Sequence, residues 1–141
     1  MARNSQGSEH RGITMNKQFS SYWKRSTQVR KQRKYRYNAP LHVRQRFVAA
    51  PLAEVLRKKY GKRTVQVRKG DTVTILRGQF RGHKGKVEQV DLKHSRLSIE
   101  GVQLVKRDGT KVSYPTHASK VRVDELVLED KRRKAMFEVK K

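Results

Sequence analysis

The feature of this sequence that most constrains its fold is the uneven distribution of charge along its 141 residues. Residues 1–70 carry 19 basic and 2 acidic side chains, a net charge of +17, whereas residues 71–141 carry 17 basic and 10 acidic side chains, a net charge of +7. Self-repulsion on the scale of the first half opposes compaction unless a polyanion neutralises it. The second half has the mixed charge of an ordinary globular surface, so we expect the compact domain there.

The overall charge of +24 also limits the class of partner. Nucleic acid and anionic membrane surfaces are the common polyanions that bind such chains. No stretch approaches the ~20 apolar residues of a spanning helix, and no apolar signal-peptide core is present, so an intracellular nucleic-acid binder is favoured. The absence of cysteine excludes disulfides and thiolate zinc sites.

Residues 1–39 are poor in aliphatic side chains and are predicted to form a basic N-terminal arm that is extended or disordered in the free protein. Within the arm, residues 30–37 interleave cations with tyrosines. Phosphates bind cations, and unstacked bases stack on aromatic rings or guanidinium planes. The arm is therefore a candidate RNA-binding segment.

Residues 40–62 predict two short helices, because a single helix through Pro51 would lose a hydrogen bond. Pro40 and Pro51 both suit a first helical position, and Gly61 suits a C-cap. An apolar stripe at i, i+3, i+4 and i+8 predicts a docking face: Leu52, Val55, Leu56 and Tyr60.

Residues 63–128 predict several short strands, because apolar residues recur there with a period of two. The alternating pairs are Val65/Val67, Val73/Ile75, Leu97/Ile99, Val102/Leu104, Val121/Val123 and Leu126/Leu128. Asp108-Gly109 predicts a hairpin with a type I′ turn, which needs positive φ at both residues. Closely spaced short strands indicate a small barrel or sandwich. Residues 129–141 are predicted to be a charged C-terminal tail, either a surface helix or disordered.

A glycine-rich loop between two predicted strands is the most specific motif. Gly78, Gly82 and Gly85 permit unusual backbone conformations and close approach to a partner. Four cations surround them: Arg77, Arg81, Lys84 and Lys86. The loop lacks the G-x-x-x-x-G-K-[ST] pattern of a P-loop.

The whole pattern from Lys69-Gly70-Asp71 to Lys86-Val87 resembles a KOW motif. Flanking segments at residues 30–34, 37–42, 56–60, 99–102 and 114–121 are similar to the KOW-containing large-subunit ribosomal protein family, in its archaeal and eukaryotic branch. The resemblance covers residues 28–130. It implies a mainly β fold, namely a small SH3-like (KOW) barrel with two short helices and a long basic N-terminal extension. It also implies binding to the 5′ region of large-subunit ribosomal RNA near the peptide exit tunnel, on the cytoplasmic ribosome.

The short spacing in Gly82-His83-Lys84-Gly85, and the lack of a long basic C-terminal tail, favour an archaeal-type member. Residues 1–14 do not match the family and carry no functional weight here; Met15 is an alternative start. The expected partners are rRNA and neighbouring ribosomal proteins. We expect no cofactor, metal, small-molecule substrate, membrane contact or homo-oligomer.

The candidate RNA-binding residues come from the arm, the helical segment and the glycine loop. They are Arg25, Arg30, Lys31, Arg33, Lys34, Tyr35, Arg36, Tyr37, His42, Arg44, Arg46, Lys69, Arg77, Gly78, Arg81, Gly82, His83, Lys84, Gly85 and Lys86. We expect mostly phosphate and shape readout, with few base-edge contacts.

Three other protein classes have weaker support. An enzyme is disfavoured, because the five histidines form no metal-ligand spacing and the acidic residues are scattered. A transcription elongation factor shares the KOW motif, but residues 1–62 are too basic to form its preceding α/β domain. A chromatin-type DNA binder would need a recognition helix or basic zipper, and the sequence has neither signature.

Overall fold

The computed structural model describes residues 19–20, 22–23 and 25–138. These residues divide into two compact units between Ala39 and Pro40. The described fold is mainly β, with antiparallel strand pairing and four α-helices. The helices are α1 Val29–Asn38, α2 Leu41–Phe47, α3 Glu54–Tyr60 and α4 Lys131–Phe137. The strands are β1 Ala49–Pro51, β2 Thr64–Gln66, β3 Thr72–Ile75, β4 Lys84–Asp91, β5 Arg96–Ile99, β6 Gln103–Val105, β7 Lys111–Ser113, β8 Thr116–His117 and β9 Val121–Glu125.

The first unit corrects the expectation of an extended arm, because residues 29–38 form helix α1. Tyr35 on this helix contacts the rings of Phe19 and Trp23, each at a centroid distance of 4.9 Å. The Gln32 side-chain amide donates to the Ser26 carbonyl at 2.7 Å. These aromatic and hydrogen-bond contacts stabilise α1, and the low aliphatic content of the segment gave no indication of them. The part of the arm before residue 19 lies outside the described residues.

The two helices predicted in residues 40–62 are present, but Pro51 does not begin either of them. Pro40 is the N-cap of α2, and Pro51 ends strand β1. Gly61 caps α3 as predicted: its φ is +63°, and its N–H donates to the Arg57 carbonyl. The predicted apolar stripe is only partly correct, since Val55 is 76% exposed.

The second unit is built around a five-stranded sheet with the order β8-β5-β4-β3-β9. The β1–β2 pair continues from β9 through a bridge between Leu52 and Val123, reinforced by the Ala53 N–H donating to the Val123 carbonyl. Inward-facing aliphatic side chains fill the space that these strands enclose. The buried core contains Val48, Ala50, Leu52, Val65, Val67, Val73, Ile75, Val87, Leu97, Ile99, Val102, Ala118, Val121, Val123 and Phe137.

The period-two prediction is confirmed for three pairs that lie wholly in strands, Val73/Ile75, Leu97/Ile99 and Val121/Val123. Val67 and Val102 fall just outside β2 and β6, and Leu126/Leu128 lie outside the described strands. The chain leaves the sheet because the Val127 backbone is bound elsewhere. Its N–H donates to the Asp71 carboxylate, and its carbonyl accepts from Arg133.

The β6–β7 hairpin confirms a reversal at Asp108-Gly109, but the predicted type I′ turn is wrong. Gly109 has a φ of +83°, whereas Asp108 is not among the described residues with positive φ. The loop is longer than two residues, with the Lys106 N–H donating to the Thr110 carbonyl. Hydrogen bonds from Thr110 to the side chain of Asp108 lower the pKa of that carboxyl and hold the turn.

Helix α4 confirms the helical alternative predicted for the tail, but two of its side chains are not at the surface. Arg133 and Phe137 on this helix are buried. The Arg133 guanidinium binds both carboxylate oxygens of Asp71, at 2.7 and 2.6 Å, and also donates to the Val127 and Gln66 carbonyls. The Phe137 ring contacts Tyr60 of α3 at 5.0 Å. The tail is therefore part of the packed domain.

Among the described residues, no helix combines the length and the apolar content that a membrane crossing requires.

Candidate nucleic-acid interface

Helix α1 carries more cations than any other helix of the described residues. Its five cations are all exposed, and it contains no acidic residue: Arg30, Lys31, Arg33, Lys34 and Arg36. At about 100° per residue, these side chains are distributed around much of the helix axis. A helix that is polar nearly all round lacks the apolar stripe by which most helices pack against a core.

The glycine loop connects β3 and β4 and is closed by backbone hydrogen bonds. The Ile75 N–H donates to the His83 carbonyl, and the Gly82 N–H donates to the Ile75 carbonyl. Phe80 packs against Tyr114 at a ring-centroid distance of 5.3 Å. This contact fixes the tip of the loop against the segment that precedes β8.

The three glycines of the loop have different structural roles. Gly78 and Gly82 have φ values of +103° and +86°, and a Cβ atom at either position would meet nothing within 4 Å. Gly78 and Gly82 therefore allow the backbone conformation of the loop, and the space beside them is open. Gly85 lies within β4 without positive φ, and a Cβ there would come within 2.6 Å of the Glu100 carbonyl oxygen. Its role is close packing inside the protein.

His83 is held by the fold. Its Nε2 lies 2.9 Å from the Glu100 carbonyl oxygen. Because a carbonyl only accepts, Nε2 carries the proton. The ring also covers Gly101, where a Cβ would come within 2.8 Å of Nε2. His83 therefore positions the loop against the turn at residues 100–101, and any contact with RNA would use the remaining edge of its ring.

Lys84 and Lys86 lie on the outer face of β4, apart from the loop tip. They are paired in register with Thr74 and Thr72 of β3. Lys84 forms an ion pair with Glu125 at 3.3 Å. The hydroxyl of Thr72, and then Lys84, hold the pKa of Glu125 below its usual value. This face is a mixed network of charges and hydroxyls, so part of the positive charge here is already compensated.

Three exposed basic residues lie in the loop or beside it, and we call them the loop-tip patch: Arg77, Arg81 and Lys120. Lys120 belongs to the short 3₁₀ turn before β9, and its carbonyl accepts from the Leu76 N–H. Arg77 and Lys120 line the same small crevice beside Phe80 and Tyr114. Sequence reasoning missed Lys120, because nothing in its local pattern indicates that it folds next to the loop.

Within the second unit, the predicted residues Lys69, His42, Arg44 and Arg46 lie on elements other than the loop. Lys69 lies in the turn before β3, at the opposite end of that strand from the loop. On α2, His42 and Arg46 are exposed, whereas Arg44 is half-buried. In the other unit, Arg25 is exposed, as is Tyr37; Tyr35 is half-buried by the aromatic contacts described above. Within the second unit, the predicted residues are thus divided between the loop, α2 and the turn before β3.

The described part of the chain contains no group of three His, Asp or Glu side chains arranged to hold a metal ion. The His94–Asp91 pair is exposed, and the hydrogen bond from His94 lowers the pKa of Asp91.

Comparison with known proteins decides the family. The profile of the eukaryotic L26 and archaeal L24 ribosomal proteins matches residues 26–140. The chain belongs to this family. Three archaeal relatives, each named large ribosomal subunit protein uL24, agree with the family match. The Methanosarcina barkeri protein is 51% identical over 108 residues, which are 77% of this chain and 93% of the relative.

The Methanocorpusculum labreanum protein is 49% identical over 115 residues, 82% of this chain and 95% of the relative. The Korarchaeum cryptofilum protein is 47% identical over 110 residues, 78% of this chain and 84% of the relative. The family match includes α1, the glycine loop and α4 within a single span. The resemblance predicted from the KOW motif and its flanks is confirmed.

Proposed function

We propose that this chain is a structural constituent of the large ribosomal subunit that binds the 5′ region of large-subunit rRNA near the peptide exit tunnel. The strands of residues 64–125 would form an SH3-like barrel, with the KOW motif as its β3–β4 hairpin. The membership of the chain in the L26 and archaeal L24 family supports this proposal, as do the names of its archaeal relatives.

The observation that carries the proposal is the exposure of dense positive charge without carboxylates on two elements, α1 and the loop-tip patch. Helix α1 has five exposed cations in ten residues. The loop-tip patch adds three cations beside glycines whose surroundings are open. Open backbone next to guanidinium groups suits the approach of a sugar–phosphate chain.

The mechanism follows from the two kinds of surface. Helix α1 would contribute charge neutralisation and release of counterions, which do not depend on sequence. The loop-tip patch is held rigidly by the Phe80–Tyr114 contact and would read the shape of folded RNA. Binding by both elements would favour one arrangement of the rRNA over its competitors and thereby support subunit assembly.

The test compares binding to the 5′ region of an archaeal large-subunit rRNA with binding to a random RNA of equal length. The variant replaces the loop-tip patch by glutamine (Arg77→Gln, Arg81→Gln, Lys120→Gln). We expect the preference for rRNA to fall while stability is unchanged. A matched control removes three exposed cations elsewhere: Lys93→Gln, Arg107→Gln and Arg132→Gln. Equal affinity of the wild-type chain for both RNAs, together with co-sedimentation with RNA polymerase and not with large subunits, would contradict the proposal.

A further inference from the structure

A cavity in the second unit, away from the loop-tip patch, has the composition of a site for a nucleobase. It has a volume of 390 Å³ and lies between α2, the β2–β3 connection and the end of β4. Its apolar lining comes from Val67, Val90 and Leu92. Val67 is buried, whereas Val90 and Leu92 are half-buried, so the apolar surface is accessible from one side.

The polar residues that line this cavity are either basic or uncharged. Gln45 and Gln66 supply amides, and Arg68 and Lys69 supply cations, while none of the described lining residues is acidic. Arg68 is held at the rim, because its guanidinium nitrogen lies 2.6 Å from an Asp130 carboxylate oxygen. Asp130 therefore compensates the charge of Arg68. Lys69 is exposed and makes no ion pair among the described residues.

Resting on the proposed function, we infer that this cavity binds one unpaired nucleobase of the rRNA. The apolar wall would stack against the base, the glutamine amides would hydrogen-bond its edge, and Lys69 would contact the adjoining phosphate. Apolar walls with convergent amides suit a planar heterocycle. The basic rim is complementary to a phosphate, which distinguishes an RNA base from an apolar side chain of a neighbouring protein.

This inference accounts for the position of Lys69, which the sequence placed among the RNA contacts and which the structure separates from the loop tip. Lys69 lies at the opposite end of β3 and would bind a different segment of RNA from the loop-tip patch. The two surfaces would then hold two points of one folded RNA.

The experiment is chemical probing of the base edges of an archaeal large-subunit rRNA, alone and bound to the full chain. Leu92→Trp fills the cavity, and Leu104→Trp, on a half-exposed leucine of β6, is the matched control. We expect wild type to shield one unpaired base, and Leu92→Trp to expose that base again and weaken binding about ten-fold. Leu104→Trp should keep the shielding.

A second pair of variants preserves the test if Leu92→Trp lowers the melting temperature. Gln45→Glu places a carboxylate at the cavity from an exposed position on α2, and Gln103→Glu makes the same change on β6. Only Gln45→Glu should expose the shielded base. Unchanged shielding in both cavity variants, with rRNA binding retained, would overturn this inference and leave the proposed function standing.

Two further outcomes would also overturn it. In the first outcome, the cavity variants shield the base as wild type does but are incorporated less well into subunits when other ribosomal proteins are present. The occupant of the cavity would then be a protein side chain. If wild type shields no base and does not prefer rRNA to random RNA, the proposed function fails and the nucleobase site fails with it.

Discussion

Helix α1 carries five cations in ten residues, and helix α4 carries four in seven; neither contains an acidic residue. Their relation to the fold differs. Helix α4 buries Arg133 and Phe137, whereas α1 buries only Asn38. The difference teaches that the composition of a basic segment does not decide whether its charge is structural or available for binding. A single cation aligned with a buried carboxylate, and one aromatic ring, make α4 part of the domain.

The largest expected effect follows from removing the buried cation of α4. Arg133→Met keeps much of the side-chain volume but leaves the Asp71 carboxylate buried without its partner. Breaking one side of a buried ion pair costs about 3–5 kcal/mol. Denaturant unfolding should show this loss, while Arg132→Met, on the neighbouring exposed residue, should change stability by less than about 0.5 kcal/mol. If both variants changed stability equally, Arg133 would not anchor α4 in the domain, and α4 would not differ from α1 in this respect.

The second prediction concerns salt dependence. Replacing Arg30, Lys31 and Lys34 of α1 by glutamine should make the slope of log K against log salt for rRNA binding shallower by roughly 2–3 units. The matched control replaces Lys131, Arg132 and Lys134 of α4, also one arginine and two lysines, and should change the slope by less than about one unit. A salt titration of both triple variants measures this. A larger change from the α4 triple would reverse the roles assigned to the two helices.

The third prediction separates shape from close approach in the glycine loop. Gly85→Ala should destabilise the free protein by about 1–3 kcal/mol, because the new Cβ would overlap the Glu100 carbonyl. Gly82→Ala should cost about 1–2 kcal/mol, because only its positive φ opposes a side chain. Thermal melting without RNA tests both. If both variants melt like wild type but bind rRNA more weakly, these glycines act at the RNA and not in the fold.

The smallest effect concerns the surface ion pair at the start of α4. Asp130 caps this helix and pairs with Arg68, whose hydrogen bond lowers the pKa of the carboxyl. The stability that this pair adds is present above the unfolded pKa of Asp130 and is lost as pH falls through the lower, folded pKa. NMR titration of the Asp130 carboxyl should show its pKa rising in Arg68→Gln and unchanged in Lys69→Gln. An unchanged value in both would show that the exposed pair is not populated in solution.

The local features of the sequence predicted what depends on neighbouring residues. The Gly61 C-cap, the Asp108-Gly109 reversal and the strand pairs Val73/Ile75, Leu97/Ile99 and Val121/Val123 follow from backbone preferences and the two-residue period. The family resemblance followed from the KOW motif and its flanks. Each of these features depends on residues that are close together in the sequence, so it can be predicted from the sequence alone.

The features that were missed depend on contacts distant in sequence. Arg133 and Asp71 are 62 residues apart, and no local pattern marks either as a buried partner. Lys120 joins the loop tip only because β9 pairs with β3. Helix α1 was predicted as extended because its aliphatic content is low, whereas the Tyr35 contacts with Phe19 and Trp23 help to hold it. The assignment of individual RNA contacts remains a prediction.

The distance along the chain between Asp71 and Arg133 has a consequence for the order of synthesis. At about 5–20 residues per second, roughly 3–12 s separate the addition of the carboxylate from the addition of its cation. During this interval the strands that follow Asp71 are made, but its carboxylate has no guanidinium to bind. A nascent chain that ends before α4 therefore contains every described strand of the domain and lacks the cation that binds Asp71. The fold is therefore completed only after α4 has been synthesised.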